Sequence, residues 1–313
     1  MAAEKSLEIG KYGEKVIYRL LEYFGWTPII NNVDIECIRP ELHNRKLKTH
    51  GIDYIKHYIC PVQSDAQKTV VISAKYYEKY PFDPTKQLKE FLTDIGQWLF
   101  CIKPNAEYGR KKIKREIKDL QLRGLLFYLN HNEGFRDTIR NKIKQFRFSG
   151  NISFEPIYII DNLRATFFYS IVEYFHRNYP GKELTYAYAE TEYNLATFDN
   201  ISYGNILPIE YMVSDIIPIR VDIDDERKIL LVFSNNNYSD DSCTKIISFC
   251  KSFTKGGWNS KTIILYPDYR ELKHGKKVSK ILSTLSDVSY AKQISLESYP
   301  LLDFRKLEEG KDE

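Results

Sequence analysis

Gly51-Ile-Asp-Tyr-Ile-Lys-His-Tyr-Ile59 and Thr69-Val-Val-Ile-Ser-Ala-Lys-Tyr-Tyr77 are the two stretches that decide the fold. The first alternates its faces and reads as a strand. The second is a β-branched run of the kind that fills the middle of a sheet. A turn over Gln63–Lys68 separates them. Upstream, Ile9–Gly25 reads as a helix, with Val16, Ile17, Leu20, Leu21 and Phe24 at helical spacing and Gly25 as its stop. Thr27–Ile38 reads as one or two strands, and Arg39–His50 as a polar, basic loop. Downstream, Pro81 and Pro84 break the chain before a helix over Thr85–Phe100.

The same alternation continues. Arg110–Leu122 reads as a basic amphipathic helix, Leu125–Leu129 as a buried strand and Glu133–Gln145 as a helix. Pro156–Ile160 reads as a strand and Leu163–Tyr179 as a helix. Strands alternating with helices imply an α/β layered domain. Asn178–Lys182 carries turn residues and marks a linker, so the chain divides into residues 1–183 and a second, small α/β domain over 184–313. In the second half, strands are expected at Ile217–Ile223, Lys228–Ser234 and Thr262–Tyr266. Helices are expected at Asp241–Phe253 and Lys276–Ser286, and a last strand near Ala291–Leu296. The tail Glu308–Glu313 reads as disordered. No internal repeat or low-complexity segment appears.

Composition sets the outer limits. The 313 residues are 43% hydrophobic and 28% charged, which suits a folded globular chain and excludes collagen, coiled-coil fibre and global disorder. No run of about 18 uncharged apolar residues exists, so no membrane span is expected. No apolar run follows Met1, so no signal peptide is expected, and the reading is cytoplasmic. Cys37, Cys60, Cys101, Cys243 and Cys250 form no CxxC or Cys/His zinc spacing and read as thiols, with no structural zinc expected. His43, His50, His57, His131, His176 and His274 likewise show no metal spacing, and His50 reads as a loop residue. The net charge of +4 is uneven. Residues 1–183 carry an excess of eight positive charges, and 101–150 alone hold 13 basic against 5 acidic side chains. That asymmetry points to a polyanion for the first half.

One constellation carries chemistry. Glu14 lies on the first helix, Asp53 in one strand, Ser73-Ala-Lys75 in the next, and Gln87 on the helix after it. Asp53 and Lys75 on adjacent strands could converge at one end of the sheet, and residues 73 and 75 share a face. Phosphodiester hydrolysis needs carboxylates for a hard divalent cation, and a lysine to orient water or stabilise the transition state. Each residue also has a plainer reading. Asp53 suits a strand end, Lys75 a solvated sheet edge, Glu14 a helix first turn and Gln87 any helix surface. Asp161 reads as a helix N-cap.

Tyr12-Gly-Glu14, Gly51-Ile-Asp53, Ser73-Ala-Lys75 and Gln87-x-x-x-Phe91, in that order, resemble the PD-(D/E)XK nuclease superfamily. The likeness is to the branch of Mrr-like restriction enzymes, Holliday-junction resolvases and RecB-type nucleases, and covers roughly residues 8–100. The resemblance implies a restriction-endonuclease-like α/β/α core and a Mg²⁺- or Mn²⁺-dependent DNA endonuclease. Carried over by position, Asp53 is the metal carboxylate, Lys75 the catalytic lysine, Glu14 a helix-borne metal carboxylate and Gln87 the helix residue. Two positions depart from the pattern: Ser73 stands where the family has Glu, and Phe91 where it has Tyr. Beside such a site Lys111, Lys112 and Arg115 are the candidates for DNA-backbone contacts; alternatively they form a solvated face. By analogy the chain is a bacterial anti-phage defence effector, a homodimer with a regulatory partner protein. The other reading, favoured by Ser73, is a catalytically inactive nucleic-acid-binding or scaffold subunit of a defence complex. A nucleotide signal bound by the second domain is a third idea, without a phosphate loop to support it.

Overall fold

The computed structural model describes residues 2–43, 48–81, 83–132, 139–144, 146, 155–191, 202–254 and 257–307. Packing groups the chain into two compact units. The first is Met1–Thr166 with Phe304–Glu313, and the second is Phe167–Asp303.

The first unit is a five-stranded mixed sheet with helices. Its elements are α1 (Ala2–Tyr23), β1 (Ile30–Glu36), β2 (Thr49–Ile59), β3 (Ala66–Tyr77), α2 (Thr85–Ile102), β4 (Asp119–Asn130), α3 (Arg140–Ile143) and β5 (Ile157–Ile160). The strands lie in the order β1-β2-β3-β4-β5. β1, β2 and β3 are antiparallel neighbours, whereas β3, β4 and β5 run parallel. The β-branched strand is therefore central, as its sequence implies. Tyr77 packs with α2, and Tyr76, the next residue along the pleat, meets α1 at Gly13. Consecutive strand residues point to opposite faces, so α1 and α2 cover opposite faces of the sheet. This is the α/β/α core of the restriction-endonuclease-like fold.

Sequence explains the helix placements. α1 buries Val16, Ile17, Leu20, Leu21 and Phe24, each stabilising by roughly 1.5–3 kcal/mol. It stops in a Schellman turn: Trp26 N–H donates to Leu21 O and Gly25 N–H to Glu22 O, with Gly25 at φ 67°. That left-handed position is cheap only for glycine. α2 lays Leu88, Leu92, Ile95 and Leu99 against Val71, Leu126 and Tyr128. Asp161 caps helix α4 (Asn162–Asn178) by accepting from Arg164 N–H at 2.9 Å. A short 3₁₀ turn at Phe304–Leu307 returns to this unit. There the Tyr12 hydroxyl donates to Arg305 O, and the Arg305 guanidinium donates to Asn130 O at 2.8 Å.

The division between units falls inside α4, and the Asn178–Lys182 turn follows that helix. The second unit has β6 (Thr185–Ala187), β7 (Tyr203–Gly204), β8 (Ile216–Asp222), β9 (Lys228–Ser234), α5 (Asp240–Cys250), β10 (Lys261–Tyr266), α6 (Glu271–Ser283), α7 (Val288–Gln293) and β11 (Ile294–Ser298). Its sheet order is β11-β10-β9-β8-β6-β7, with β9, β10 and β11 parallel. No helix among the described residues is long and apolar enough to cross a membrane.

Several expected elements are corrected. Arg110–Lys118 is not helical but an exposed connection with bends and turns, and Asp119–Leu122 opens β4. Arg110/Lys114, Lys111/Arg115 and Lys114/Lys118 would be like-charged i,i+4 pairs on a helix, which disfavours it. The buried Gln67 side chain holds the non-helical path instead, donating to Lys111 O and accepting from Ile113 N–H, both at 2.7 Å. Of the helix expected over Glu133–Gln145, only Arg140–Ile143 is helical, and residues 133–138 and 145 lie outside the described residues. The strand expected near Ala291 begins at Ile294, because Asp287 caps α7 by accepting from Tyr290 N–H at 2.9 Å. His50 lies in β2, fully buried, and not in a loop. The tail Glu308–Glu313 lies outside the described residues.

Candidate active site

The site forms where β2 and β3 part. Their pairing ends at Tyr54 opposite Ile72, whereas β3 stays paired with β4 as far as Tyr77 opposite Asn130. Beyond Ile72 one edge of β3 is thus released from the ladder. The Ala74 N–H on that edge still requires an acceptor, and Asp53 supplies it: Ala74 N–H donates to Asp53 Oδ2 at 2.7 Å. The Ser73 hydroxyl approaches the same oxygen at 3.4 Å, and Lys75 Nζ stands 3.5 Å from it. One carboxylate oxygen is therefore fixed by three donors from three successive residues. Asp53 and Lys75 remain about a third exposed, at 37% and 29% of their side chains, so solvent reaches both.

Lys75 is held from below as well. Its ammonium lies 5.5 Å from the centre of the Phe91 ring, within cation–π range. Phe91 and Gln87 are one turn apart on α2, and both meet Tyr128 of β4. The Tyr128 hydroxyl donates to Gln87 Oε1 at 2.9 Å, and the Phe91 and Tyr128 ring centres are 6.2 Å apart. Tyr80 stacks on Tyr128 at 4.7 Å with nearly coplanar rings. Gln87 thus reaches the site through Tyr128 and Phe91. An aromatic in the register of Phe91 suffices for the cation–π contact, without a hydroxyl.

Glu14 comes from the other face. It is exposed on α1, next to Gly13, which abuts Tyr76 of β3. The Tyr54 phenol is pushed up from its ordinary pKa first by burial and then by the charges of Glu14 and Asp53. Glu14 and Asp53 thus both act on the Tyr54 hydroxyl. Tyr54 is absent from the sequence reading, because a tyrosine on an alternating strand carries no signal beyond packing. The same holds for the Tyr12, Tyr76 and His131 group beside Gly13, in which the Tyr76 hydroxyl meets His131 Nδ1 at 3.3 Å.

Lys111, Lys112 and Arg115 lie elsewhere. They sit on the connection clamped by Gln67, at the start of β3, and Lys75 is about 26 Å further along that strand. Lys112 Nζ donates to Ile117 O at 2.6 Å. The structure brings Asp53 and Lys75 into contact, links Gln87 to them through Tyr128 and Phe91, keeps Glu14 exposed on the α1 face, and leaves the basic connection apart.

The donors gathered here are oxygens, the Asp53 carboxylate and the Ser73 hydroxyl, with the exposed Glu14 carboxylate on the α1 face as a further oxygen. That set suits a hard divalent cation in kind, with Asp53 Oδ1 the oxygen not engaged by Ala74, Ser73 or Lys75. A different chemistry gathers elsewhere in the first unit, where His43 and His50 meet Cys37 and Cys101 despite showing no metal spacing along the chain.

The comparisons with known proteins agree with this geometry. The family model of the GAPS4 protein PD-(D/E)XK nuclease domain matches residues 1–164. No curated protein and no solved structure matches the chain. Nucleases of this superfamily generally use divalent metal ions. The match spans every element that carries Glu14, Asp53, Lys75 and Gln87, and on that ground the chain belongs to the GAPS4 PD-(D/E)XK nuclease domain family.

Proposed function

We propose that this nuclease is a Mg²⁺- or Mn²⁺-dependent DNA endonuclease acting in bacterial anti-phage defence. The observation that carries the reading is the contact of Lys75 and Asp53 at 3.5 Å on the released edge of β3. A divalent cation bound at Asp53, with Glu14 nearby, would acidify a water and neutralise charge growing on the phosphate. The protein's own part follows from the contacts. Ala74 N–H and Ser73 hold Asp53 Oδ2 in place, which leaves Oδ1 for the cation. Lys75, steadied by Asp53 and the Phe91 face, points a positive charge at the same spot. It donates to the attacking water or to a non-bridging phosphate oxygen as negative charge develops there. Gln87 and Tyr128 position Phe91 and so the lysine. Lys111, Lys112 and Arg115 hold the DNA backbone at a distance from the cut, without reading sequence. A homodimer would supply one site per strand, and a partner protein would gate cleavage.

The test is cleavage of linear and supercoiled DNA with Mg²⁺, Mn²⁺ or EDTA, comparing wild type, Lys75→Ala and Asp53→Ala, alone and with any co-purifying protein. Metal-dependent cutting lost in both variants supports the reading. The second reading, an inactive nucleic-acid-binding subunit, draws on Ser73, whose buried hydroxyl takes the place of a strand carboxylate beside Asp53. Wild type that binds DNA but never cuts it, with binding unchanged in both variants, selects that reading.

A further inference from the structure

Among the described residues, four metal-ligating side chains of mixed sulfur and nitrogen type converge at one point of the first unit. Cys37 follows β1, His43 lies in the connection after it, His50 is in β2, and Cys101 is in the last turn of α2. Their ligand atoms all lie within 4.8 Å of one another. Cys37 Sγ is 3.2 Å from His43 Nδ1, Cys101 Sγ is 3.6 Å from the same nitrogen, and His50 Nε2 is 3.2 Å from Cys101 Sγ. Around a tetrahedral zinc, with bonds of about 2.3 Å to sulfur and about 2.1 Å to nitrogen, ligand atoms stand roughly 3.3–3.8 Å apart. Two of the three close pairs, at 3.2 Å, fall just under that range and the third, at 3.6 Å, falls within it, while all four ligand atoms stay within 4.8 Å of one another.

We propose that Cys37, His43, His50 and Cys101 form a structural zinc site that pins the β1–β2 hairpin to helix α2.

Two features support this. The first is the donor set. Two thiolates and two imidazoles, with no carboxylate among them, match zinc and are poor partners for Mg²⁺. The second is charge. Binding Zn²⁺ releases one proton from each thiol to solvent, and the two thiolates cancel the ion's charge. A neutral centre suits the setting, because Cys37, His50 and Cys101 are at most 5% exposed. All four donors come from the first unit, and the site is distinct from the candidate active site. Along α2, Cys101 is about 21 Å from Gln87. Its effect still reaches the catalytic strand, since His50 and Asp53 are both on β2, about 10 Å apart.

The test uses the full chain, purified reduced and without chelator or metal-affinity resin. Elemental analysis should find zinc at one ion per chain in the wild type and in Asp53→Ala, and none in a Cys37→Ser/Cys101→Ser variant. Should that variant fail to fold, the wild type stripped of metal and titrated with Co²⁺ decides. A tetrahedral site with two thiolates gives intense visible d–d bands and sulfur-to-cobalt charge transfer, and zinc abolishes both. Wild type without zinc whose Co²⁺ spectrum is only weak and octahedral overturns the proposal. So does zinc retained in full by the folded double variant. DNA cleavage enters neither readout, so this proposal and the nuclease reading stand or fall separately.

Discussion

A Cβ added to Gly13 would collide with Cβ of Tyr76, so helix α1 rests on strand β3 at a residue with no side chain to obstruct it. Glu14 is the next residue, and this contact fixes how it is offered to the site. Two effects compete in Gly13→Ala. Alanine favours the helix by about 1 kcal/mol, whereas overpacking typically costs about 1–3 kcal/mol. The obstructing atom is the Tyr76 Cβ, which cannot swing aside, so the clash wins. With the clash at the upper end of that range, we expect a net loss of about 2 kcal/mol in urea unfolding. A variant as stable as wild type would show that α1 is not seated on Tyr76.

Lys75→Met separates catalysis from stability. The Lys75–Asp53 pair is about a third exposed, and such pairs contribute at most about 1 kcal/mol. The variant should therefore melt close to wild type while cleavage falls by at least about 100-fold, as for loss of a transition-state charge partner. Cleavage within a few-fold of wild type would remove Lys75 from the chemistry.

Ser73→Glu restores the carboxylate that the family pattern carries. Ser73 is 1% exposed and faces Asp53 Oδ2. Two carboxylates this close oppose each other's ionisation and destabilise the fold when no cation is present. Divalent cations should then raise the melting temperature of the variant more than that of wild type, by linkage. Equal responses of the two proteins to Mg²⁺ would argue that no cation binds at Asp53.

Replacing Lys111, Lys112 and Arg115 together by alanine tests the basic connection. If each neutralises one phosphate, the slope of log affinity against log salt should fall by about 1 per residue removed. Turnover of saturated enzyme should be unchanged, because Lys75 is about 26 Å away along β3. An unaltered salt slope would assign these side chains to solvent.

His57 gives the fold a pH dependence. Burial, and then the charges of Lys111 and Lys56, hold its pKa below the ordinary 6.5, and its Nδ1 is 2.8 Å from Thr69 Oγ1. The unfolded chain therefore binds the proton more readily than the folded one. Stability is fully present above pH ~6.5 and declines as the pH falls from there toward the lowered folded-state value. His57→Gln should flatten that part of the profile in denaturant titrations at pH 5 to 7. An unchanged slope would place the acid sensitivity in another group.

The meeting of Asp53 and Lys75 was legible in residue order because it needs only two residues on consecutive strands. Gly51-Ile-Asp53 and Ser73-Ala-Lys75 alternate faces on two neighbouring strands, and period-two geometry suffices to converge them. The basic connection misled because apolar spacing outweighed the like-charged i,i+4 pairs in the reading, and because the grip of Gln67 on Lys111 and Ile113 comes from a distant strand. The Cys37, His43, His50 and Cys101 cluster was invisible for a related reason. Cys101 is brought to the other three by α2 folding back across the sheet, so no local ligand spacing exists to be read. Tyr54 and Tyr128 gain their roles from neighbours on other elements, which no single stretch of sequence displays.

The return of Phe304–Leu307 to the first unit bears on the order in which this enzyme comes into being. Translation delivers Glu14, Asp53, Lys75 and Gln87 early, yet the bonds of Arg305 to Tyr12 and Asn130 can close only after the whole second unit has left the ribosome. The nuclease is latched last, so a truncated nascent chain holds Glu14, Asp53, Lys75 and Gln87 without the clasp that ties helix α1 to strand β4.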